Sequence, residues 1–174
     1  MGGQRLFPPV PPGQSVVYLL DHSMSMGLKD ALDRARNELL SSLASLPESS
    51  RFQVVVFNRQ VELLLPASQG DWLQANPGTL LATRQALLSL VATGSTRPAL
   101  AVHRALAMRP QQIVLATESD DLSSAEIAEL TRFNQGRTAI HIVDLQWRPG
   151  REGSGPLRQL AAWNRGSYTQ RGGF

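Results

Sequence analysis

One carboxylate and two hydroxyls follow a hydrophobic segment near the start of the chain. Residues 16–20 are all apolar or aromatic, and they lead into Asp21, Ser23 and Ser25, which are spaced two residues apart. A short loop that leaves a buried strand can turn alternate side chains toward one point. Carboxylate and hydroxyl oxygens are ligands that hard cations such as Mg²⁺, Mn²⁺ and Ca²⁺ prefer. The spacing therefore predicts a divalent-cation site at the end of the first strand.

Strands and helices alternate along the rest of the chain. Short apolar runs predict strands, and apolar residues that recur every three or four positions predict amphipathic helices. The predicted strands are residues 16–20, 52–57, 61–65, 113–117, 138–145 and 167–170; the predicted helices are residues 28–46, 80–91, 98–108, 123–134 and 156–163, with a helical turn at 71–75 and a Gly- and Arg-rich loop at 147–155. This alternation is typical of a mostly parallel sheet with helices on both faces. We expect residues 61–65 to form an antiparallel edge strand.

Several motifs resemble those of von Willebrand factor A-like domains, also called integrin I-like domains. The Asp-x-Ser-x-Ser-Met sequence at residues 21–26 looks like the metal-ion-dependent adhesion site motif of that family. The likeness continues in the same order at residues 52–58, 94–98, 113–118 and 157–166. The resemblance implies a Rossmann-like, doubly wound α/β fold with a mostly parallel six-stranded sheet, one antiparallel edge strand and helices on both faces.

The resemblance also implies further ligands from two distant segments. By motif match the third hydroxyl ligand is Thr96, with Thr93 as the fallback. The family places an Asp followed by Gly after the fourth strand, whereas this chain has Glu118 followed by Ser119. Either Glu118 or Asp120 is therefore expected to complete the site, or the site is partly degenerate. Ligands of doubly wound sheets bind beyond the carboxyl ends of the strands, where Asp21 and Glu118 both fall.

The expected function is cation-dependent binding of a partner protein. A cation with few charged ligands stays under-neutralised and attracts an anion. The resemblance implies that the anion is an Asp or Glu of the partner, with Mg²⁺, or Mn²⁺ or Ca²⁺, as the ion; His22, Met24 and Ser95 are expected on the partner-binding rim. The alternative is a metal-free scaffold module of a larger assembly with a degenerate site. In that case Asp21, Ser23 and Ser25 cap the helix that follows them.

Catalysis is not expected. The sequence contains no G-x-S-x-G, P-loop, G-x-G-x-x-G or H-E-x-x-H motif, and its three His residues are far apart. A hydrolase that uses the cation to activate water is the least favoured function.

Composition limits the remaining choices. A length of 174 residues with 42% hydrophobic residues suits one domain, which we place at residues 15–174. Residues 1–14 contain four Pro and three Gly, which predicts an extended linker or arm outside the core, and we expect the segment to be part of a longer polypeptide. A net charge of +3 does not indicate nucleic-acid binding, and no stretch is long and apolar enough to insert into a membrane. The absence of Cys excludes disulfides but leaves both the cytoplasm and the cell envelope open as locations.

Overall fold

A mixed β-sheet forms the centre of the computed structural model, which describes residues 5–146 and 155–170. Its strands are β1 (Ser15–Asp21), β2 (Arg51–Phe57), β3 (Val61–Leu63), β4 (Leu73–Gln74), β5 (Gln112–Thr117), β6 (Ala139–Asp144) and β7 (Tyr168–Gln170). The helices of the described residues are α1 (Ala31–Ala44), α2 (Pro77–Leu88), α3 (Pro98–Ala107), α4 (Ser124–Asn134) and α5 (Gly155–Trp163). Two 3-10 segments cover Met24–Asp30 and Pro66–Ser68.

The strand order places the topological switch point of the sheet between β1 and β5. The order across the sheet is β3-β2-β1-β5-β6-β7, in which all neighbours are parallel except β2 and β3. The two-residue β4 also pairs with β2 in the antiparallel direction. The chain runs outward from β1 to one edge and then returns to β5 and builds toward the other edge. The predicted mostly parallel α/β sheet with an antiparallel edge strand is confirmed.

Helices cover both faces of the sheet, as the alternation of side chains along β1 requires. Tyr18 and Leu20 point into a core layer that includes residues of α1 and α2, whereas Val17 and Leu19 point into a layer formed with α3, α4 and α5. All of the strand residues from Val16 to Leu20 are at most 1% exposed. Strands that are buried on both faces are continuously apolar, and this is why the apolar runs predicted β1, β2 and β5 correctly.

The helix boundaries follow local capping signals. The predicted capping box of α4 is present, because the Ser123 side chain accepts a hydrogen bond from the Glu126 N–H at 3.1 Å and Glu126 binds back to the N–H of Ser123. Pro98 occupies the first turn of α3, as predicted. Helix α2 begins at Pro77, three residues before the predicted start, because Asn76 caps it through the N–H of Thr79.

The N-terminal arm contributes to the core, so the expectation that residues 1–14 stay outside it is wrong for two residues. Phe7 is 4% exposed and Val10 is 8% exposed, and the Phe7 ring stacks on Tyr18 with a centroid distance of 6.0 Å. The arm is also tied to α1 and its following turn, since the N–H of Leu6 donates to the Glu38 carboxylate in α1 and the N–H of Gly13 donates to the Ser49 hydroxyl after it. The boundary between arm and domain at residues 14 and 15 stays a prediction.

Two local predictions are wrong. Residues 71–75 do not form a helical turn, because Leu73 and Gln74 pair with β2 as strand β4. The first long helix begins at Ala31 instead of residue 28, and Leu28 is exposed instead of facing the core. The predicted loop at residues 147–155 lies outside the described residues except for its last position. Within the described residues no helix has both the length and the apolar character that crossing a bilayer requires.

Candidate metal centre

The Asp21 carboxylate lies fully buried at the carboxyl end of β1. Its Oδ1 accepts a hydrogen bond from the Ser23 N–H at 2.8 Å. Its Oδ2 accepts one from the Thr117 hydroxyl at 2.6 Å and a longer one from the Thr96 hydroxyl at 3.4 Å. Three separate segments of the chain therefore meet at one carboxylate: the loop after β1, the loop before α3 and the end of β5.

The register of the sheet explains why Thr117 reaches Asp21. Leu20 of β1 lies opposite Ala116 of β5, so that Asp21 and Thr117 are the next residues along these two neighbouring parallel strands. Asp21 and Thr117 thus lie at the topological switch point between β1 and β5, which is where ligands bind in doubly wound sheets. Sequence reasoning missed Thr117 as a site residue, although its place at the end of a buried strand was the available signal.

The two serines lie in the turn that begins directly after Asp21. Ser23 is 2% exposed, Ser25 is exposed, and their hydroxyl oxygens are 3.4 Å apart. Met26 is fully buried and its N–H donates to the Ser23 carbonyl at 3.0 Å, which fixes the turn onto the core. The backbone of His22 is held on both sides, because its N–H donates to the Phe57 carbonyl and its carbonyl accepts from the Thr93 N–H, each at 2.8 Å.

The loop that carries Thr96 is held by Asn58. The Asn58 side-chain amide donates to the Thr93 carbonyl at 3.0 Å, and the Asn58 carbonyl accepts from the Arg97 N–H at 3.0 Å. Gly94 has a φ of +76°, which strongly favours glycine, and its carbonyl accepts from the Met24 N–H at 2.9 Å. Asn58 was not predicted as a positioning residue. Thr96, and not the fallback Thr93, brings its hydroxyl to Asp21.

The acidic residues after β5 lie on the loop that leaves the site. Glu118 directly follows Thr117 and is half-buried, whereas Asp120 is exposed. The loop turns through the Thr117 hydroxyl, which accepts a hydrogen bond from the Ser119 N–H at 2.9 Å. The structure therefore places Glu118 one residue from the Asp21 cluster and leaves the choice between Glu118 and Asp120 open.

A second buried carboxylate, which sequence reasoning also missed, ends the neighbouring strand β6. Asp144 is fully buried and pairs in register with Thr117. It accepts hydrogen bonds from the Gln146 N–H at 2.9 Å and from the Tyr168 hydroxyl. The hydrogen bond from Tyr168 anchors β7 to β6.

The residues expected on the rim are accessible to different degrees. Met24 is 68% exposed, Ser95 is exposed, and His22 is half-buried with its Nδ1 3.1 Å from the Val91 carbonyl. All three flank the Asp21 cluster along the chain. Their role on a partner-binding rim stays a prediction.

The charge balance of the cluster favours a cation. Asp21 forms no ion pair among the described residues. Buried charges in proteins are normally paired or bound to metal, because an isolated charge is costly to bury. The described residues contain no group of three His, Cys, Asp or Glu side chains that could hold a metal. The donors that the cluster offers a cation are the Asp21 carboxylate and hydroxyls, with Glu118 or Asp120 as a second carboxylate, and this donor set suits Mg²⁺ or Ca²⁺.

Helix capping accounts for only part of this arrangement. Asp21 does satisfy the Ser23 N–H, but the Ser23 side chain makes no capping hydrogen bond to the 3-10 segment that it precedes. Ser23 and Ser25 face each other instead. The hydroxyls of Ser23, Ser25 and Thr96 thus have lone pairs that the fold does not use for capping.

The chain resembles known proteins in both sequence and fold. The family model described as von Willebrand factor type A domain matches residues 14–170. No curated protein matches the sequence. The structure is similar to a von Willebrand factor type A protein from Catenulispora acidiphila, with a TM-score of 0.79 and 20% identity over 93% of this chain and 39% of that chain. The chain thus spans less than half of that protein.

Two further solved structures have similar folds over nearly their whole length. The conserved hypothetical protein BatB from Bacteroides thetaiotaomicron gives a TM-score of 0.71 at 16% identity, covering 91% of this chain and 90% of that chain. An aerotolerance-related membrane protein from Bacteroides fragilis gives a TM-score of 0.70 at 15% identity, covering 92% of each chain. At these identities the likeness shows the fold alone. Because the family model covers almost all of the sequence, the chain belongs to the von Willebrand factor type A domain family, whose members are typically protein-interaction modules and generally not catalysts.

Proposed function

We propose that this chain is a divalent-cation-dependent interaction domain that binds an acidic side chain of a partner protein. The observation that carries the proposal is the fully buried Asp21 carboxylate, which has hydroxyls from two other segments on one oxygen and no basic partner among the described residues. Asp21, Ser23, Ser25 and Thr96 hold the ion, and Glu118 or Asp120 completes its surroundings.

The distances within the cluster support an ion of this type. The hydroxyls of Ser23 and Ser25 are 3.4 Å apart, as are the Thr96 hydroxyl and Asp21 Oδ2. Both separations exceed the usual 2.5–3.0 Å of an O–H···O hydrogen bond, so these hydroxyls are weakly engaged with each other. Adjacent ligands of an octahedral ion lie about 3.0 Å apart for Mg²⁺ and about 3.4 Å apart for Ca²⁺. Each of these two separations is therefore compatible with a pair of ligands on one ion.

Recognition follows from the balance of charge at the ion. A divalent cation with Asp21 as its nearest carboxylate retains net positive charge. Ser25 and Ser95 are exposed beside it, so that an incoming side chain has access from solvent. An Asp or Glu of a partner supplies the missing negative charge, and binding then depends on the cation.

Thermal unfolding with and without metal tests this function. At a concentration about a hundredfold above its Kd, a cation stabilises the native state by about 2.7 kcal/mol. For a domain of this size the melting temperature should rise by roughly 5–10 °C with Mg²⁺, Mn²⁺ or Ca²⁺ relative to EDTA. The Asp21→Asn variant should lose the rise.

The matched control is Asp71→Asn, which removes an exposed carboxylate outside the cluster and should keep the full rise. If millimolar metal leaves the melting temperature of the native protein unchanged, the cation site is contradicted. The metal-free scaffold module would then be the better account of the fold.

A further inference from the structure

The three most exposed large apolar side chains of the described residues belong to two neighbouring segments, residues 24–28 and 91–94, beside the Asp21 cluster. Val91 is 69% exposed, Met24 is 68% exposed and Leu28 is 64% exposed. Single exposed apolar residues are normal on protein surfaces, but a contiguous group is typical of an interaction site. We call Met24, Leu28 and Val91 the apolar rim.

Backbone contacts hold the two segments of the apolar rim against each other. The Met24 N–H donates to the Gly94 carbonyl at 2.9 Å, and the Val91 carbonyl lies 3.1 Å from Nδ1 of His22. Gly27 packs so closely on Ala92 that a Cβ at residue 27 would be 3.1 Å from the Cβ of Ala92. Residues 24–28 therefore run alongside residues 91–94 at the edge of the cluster.

A strained stretch of backbone puts Leu28 on this rim. Leu28 itself is extended, with φ −87° and ψ 141°, and the next two residues, Lys29 and Asp30, have φ values of +51° and +58°. Left-handed conformations at non-glycine residues cost energy and are concentrated at functional sites. This break interrupts the 3-10 segment before α1 begins, so Leu28 is not part of α1 and does not lie on the buried face of that helix.

Two basic residues lie near the same cluster, one on the Thr96 loop and one in the turn after β2. Arg97 follows Thr96 directly, and its N–H donates to the Asn58 carbonyl at 3.0 Å, which brings Arg59 into the same neighbourhood. Both Arg side chains are exposed, and neither forms an ion pair within the part of the chain that the structure describes. The surroundings of the cluster are thus apolar on the Met24 side, basic on the Thr96 side and acidic on the loop that carries Glu118 and Asp120.

We propose that the partner presents a peptide segment in which the acidic residue is next to a bulky apolar residue. The acidic side chain binds at the cation, the apolar neighbour packs on the apolar rim, and Arg59 and Arg97 favour further negative charge on the segment. The charge complementarity and the exposed apolar side chains together select this occupant. The inference rests on the proposed cation-dependent function and adds the class of ligand to it.

Selection from a random displayed peptide library tests the proposal. The native chain is panned in millimolar Mg²⁺, and bound peptides are released with EDTA. The expected peptides carry Asp or Glu with Leu, Ile, Phe or Met at a neighbouring position. The triple variant Met24→Ser, Leu28→Ser and Val91→Ser should bind a selected peptide at least about tenfold more weakly, because a large apolar side chain is no longer buried. Its Mg²⁺-dependent rise in melting temperature should be unchanged.

The matched control is Leu81→Ser, which makes the same substitution as Leu28→Ser at a leucine that is 57% exposed on α2. It should leave peptide affinity unchanged. The selected peptides could instead carry Asp or Glu without an apolar neighbour and bind the triple variant as tightly as the native chain. That result would contradict the role of the apolar rim and leave the proposed function standing. If no acidic peptide binds in a Mg²⁺-dependent manner, the proposed function fails, and the ligand class fails with it.

Discussion

At the scale of single residues, the Asp21 carboxylate serves the proposed cation binding but is costly to bury when no cation is bound. Its carboxylate is fully buried and has a backbone N–H and two hydroxyls as partners, but no basic side chain among the described residues. Hydrogen bonds offset part of the cost of burying a charge, and an opposite charge offsets more. Without a cation, this residue should therefore lower the stability of the fold.

Replacing Asp21 by Asn in the absence of metal should not destabilise the protein. Asn keeps an oxygen for the Ser23 N–H and removes the buried charge, and its amide N–H groups can donate to the Thr96 and Thr117 hydroxyls, which then accept instead of donating. We therefore expect the free energy of unfolding in EDTA to stay equal or to rise by about 1 kcal/mol. Urea unfolding in EDTA measures this change. Asp71→Asn, at an exposed position, should change the free energy of unfolding by less than about 0.5 kcal/mol. A loss of more than about 2 kcal/mol at residue 21 would show that the carboxylate serves the fold.

At the scale of elements, β1 connects the N-terminal arm, α1 and the site. Tyr18, in the middle of the strand, stacks with Phe7 of the arm and bonds through its hydroxyl to Ser42 of α1 at 2.8 Å. Three residues later the same strand ends at Asp21. Packing around Tyr18 therefore fixes the strand on which the candidate metal centre depends.

Truncating Phe7 should destabilise the domain, although family resemblance covers the chain only from residue 14 onward. The ring is 4% exposed, and removing a buried Phe ring costs about 3–5 kcal/mol. The measurement is urea unfolding of Phe7→Ala. Phe133→Ala, the same change at a ring that is 43% exposed, should cost much less. If Phe7→Ala lowers the free energy of unfolding no more than Phe133→Ala does, the arm does not belong to the folded unit.

Tyr18 should make the fold sensitive to alkaline pH. Burial raises the pKa of Tyr18 to about 12 from an unfolded value of 10.0, against a smaller opposing effect of the Ser42 hydrogen bond. Because the folded pKa is the higher one, the folded state binds more protons between these values. The contribution is fully present below pH 10 and is lost as the pH rises toward 12. Between pH 9 and pH 11 the loss should be about 1 kcal/mol.

The Tyr18→Phe variant separates this effect from other alkaline titrations. Phe has no ionisable group, so its stability should fall less steeply than that of the native protein across the same pH range. Chemical unfolding at several pH values gives both slopes. Identical slopes would show that the Tyr18 hydroxyl does not control this dependence.

At the scale of the whole molecule, the sequence predicted what depends on local pattern and missed what depends on register. The apolar run before Asp21 and the capping box at Ser123 are local signals, and both predicted the structure correctly. That Thr117 lies beside Asp21 depends on how β1 and β5 align, which no short segment of sequence specifies. The spacing of Leu28 also fitted a helix, but residues 29 and 30 are left-handed, so α1 begins only at Ala31 and Leu28 lies outside it.

The position of a bound cation tests the central claim most directly. Crystals of the protein grown with Mn²⁺ should show an anomalous difference peak between the side chains of Asp21, Ser23, Ser25 and Thr96. Oxygen ligands should lie at about 2.0–2.4 Å from it, between the bond lengths of Mg²⁺ and Ca²⁺. The peak should be absent from crystals of Asp21→Asn. A peak elsewhere, or no peak at this cluster in the native protein at millimolar Mn²⁺, would contradict the account.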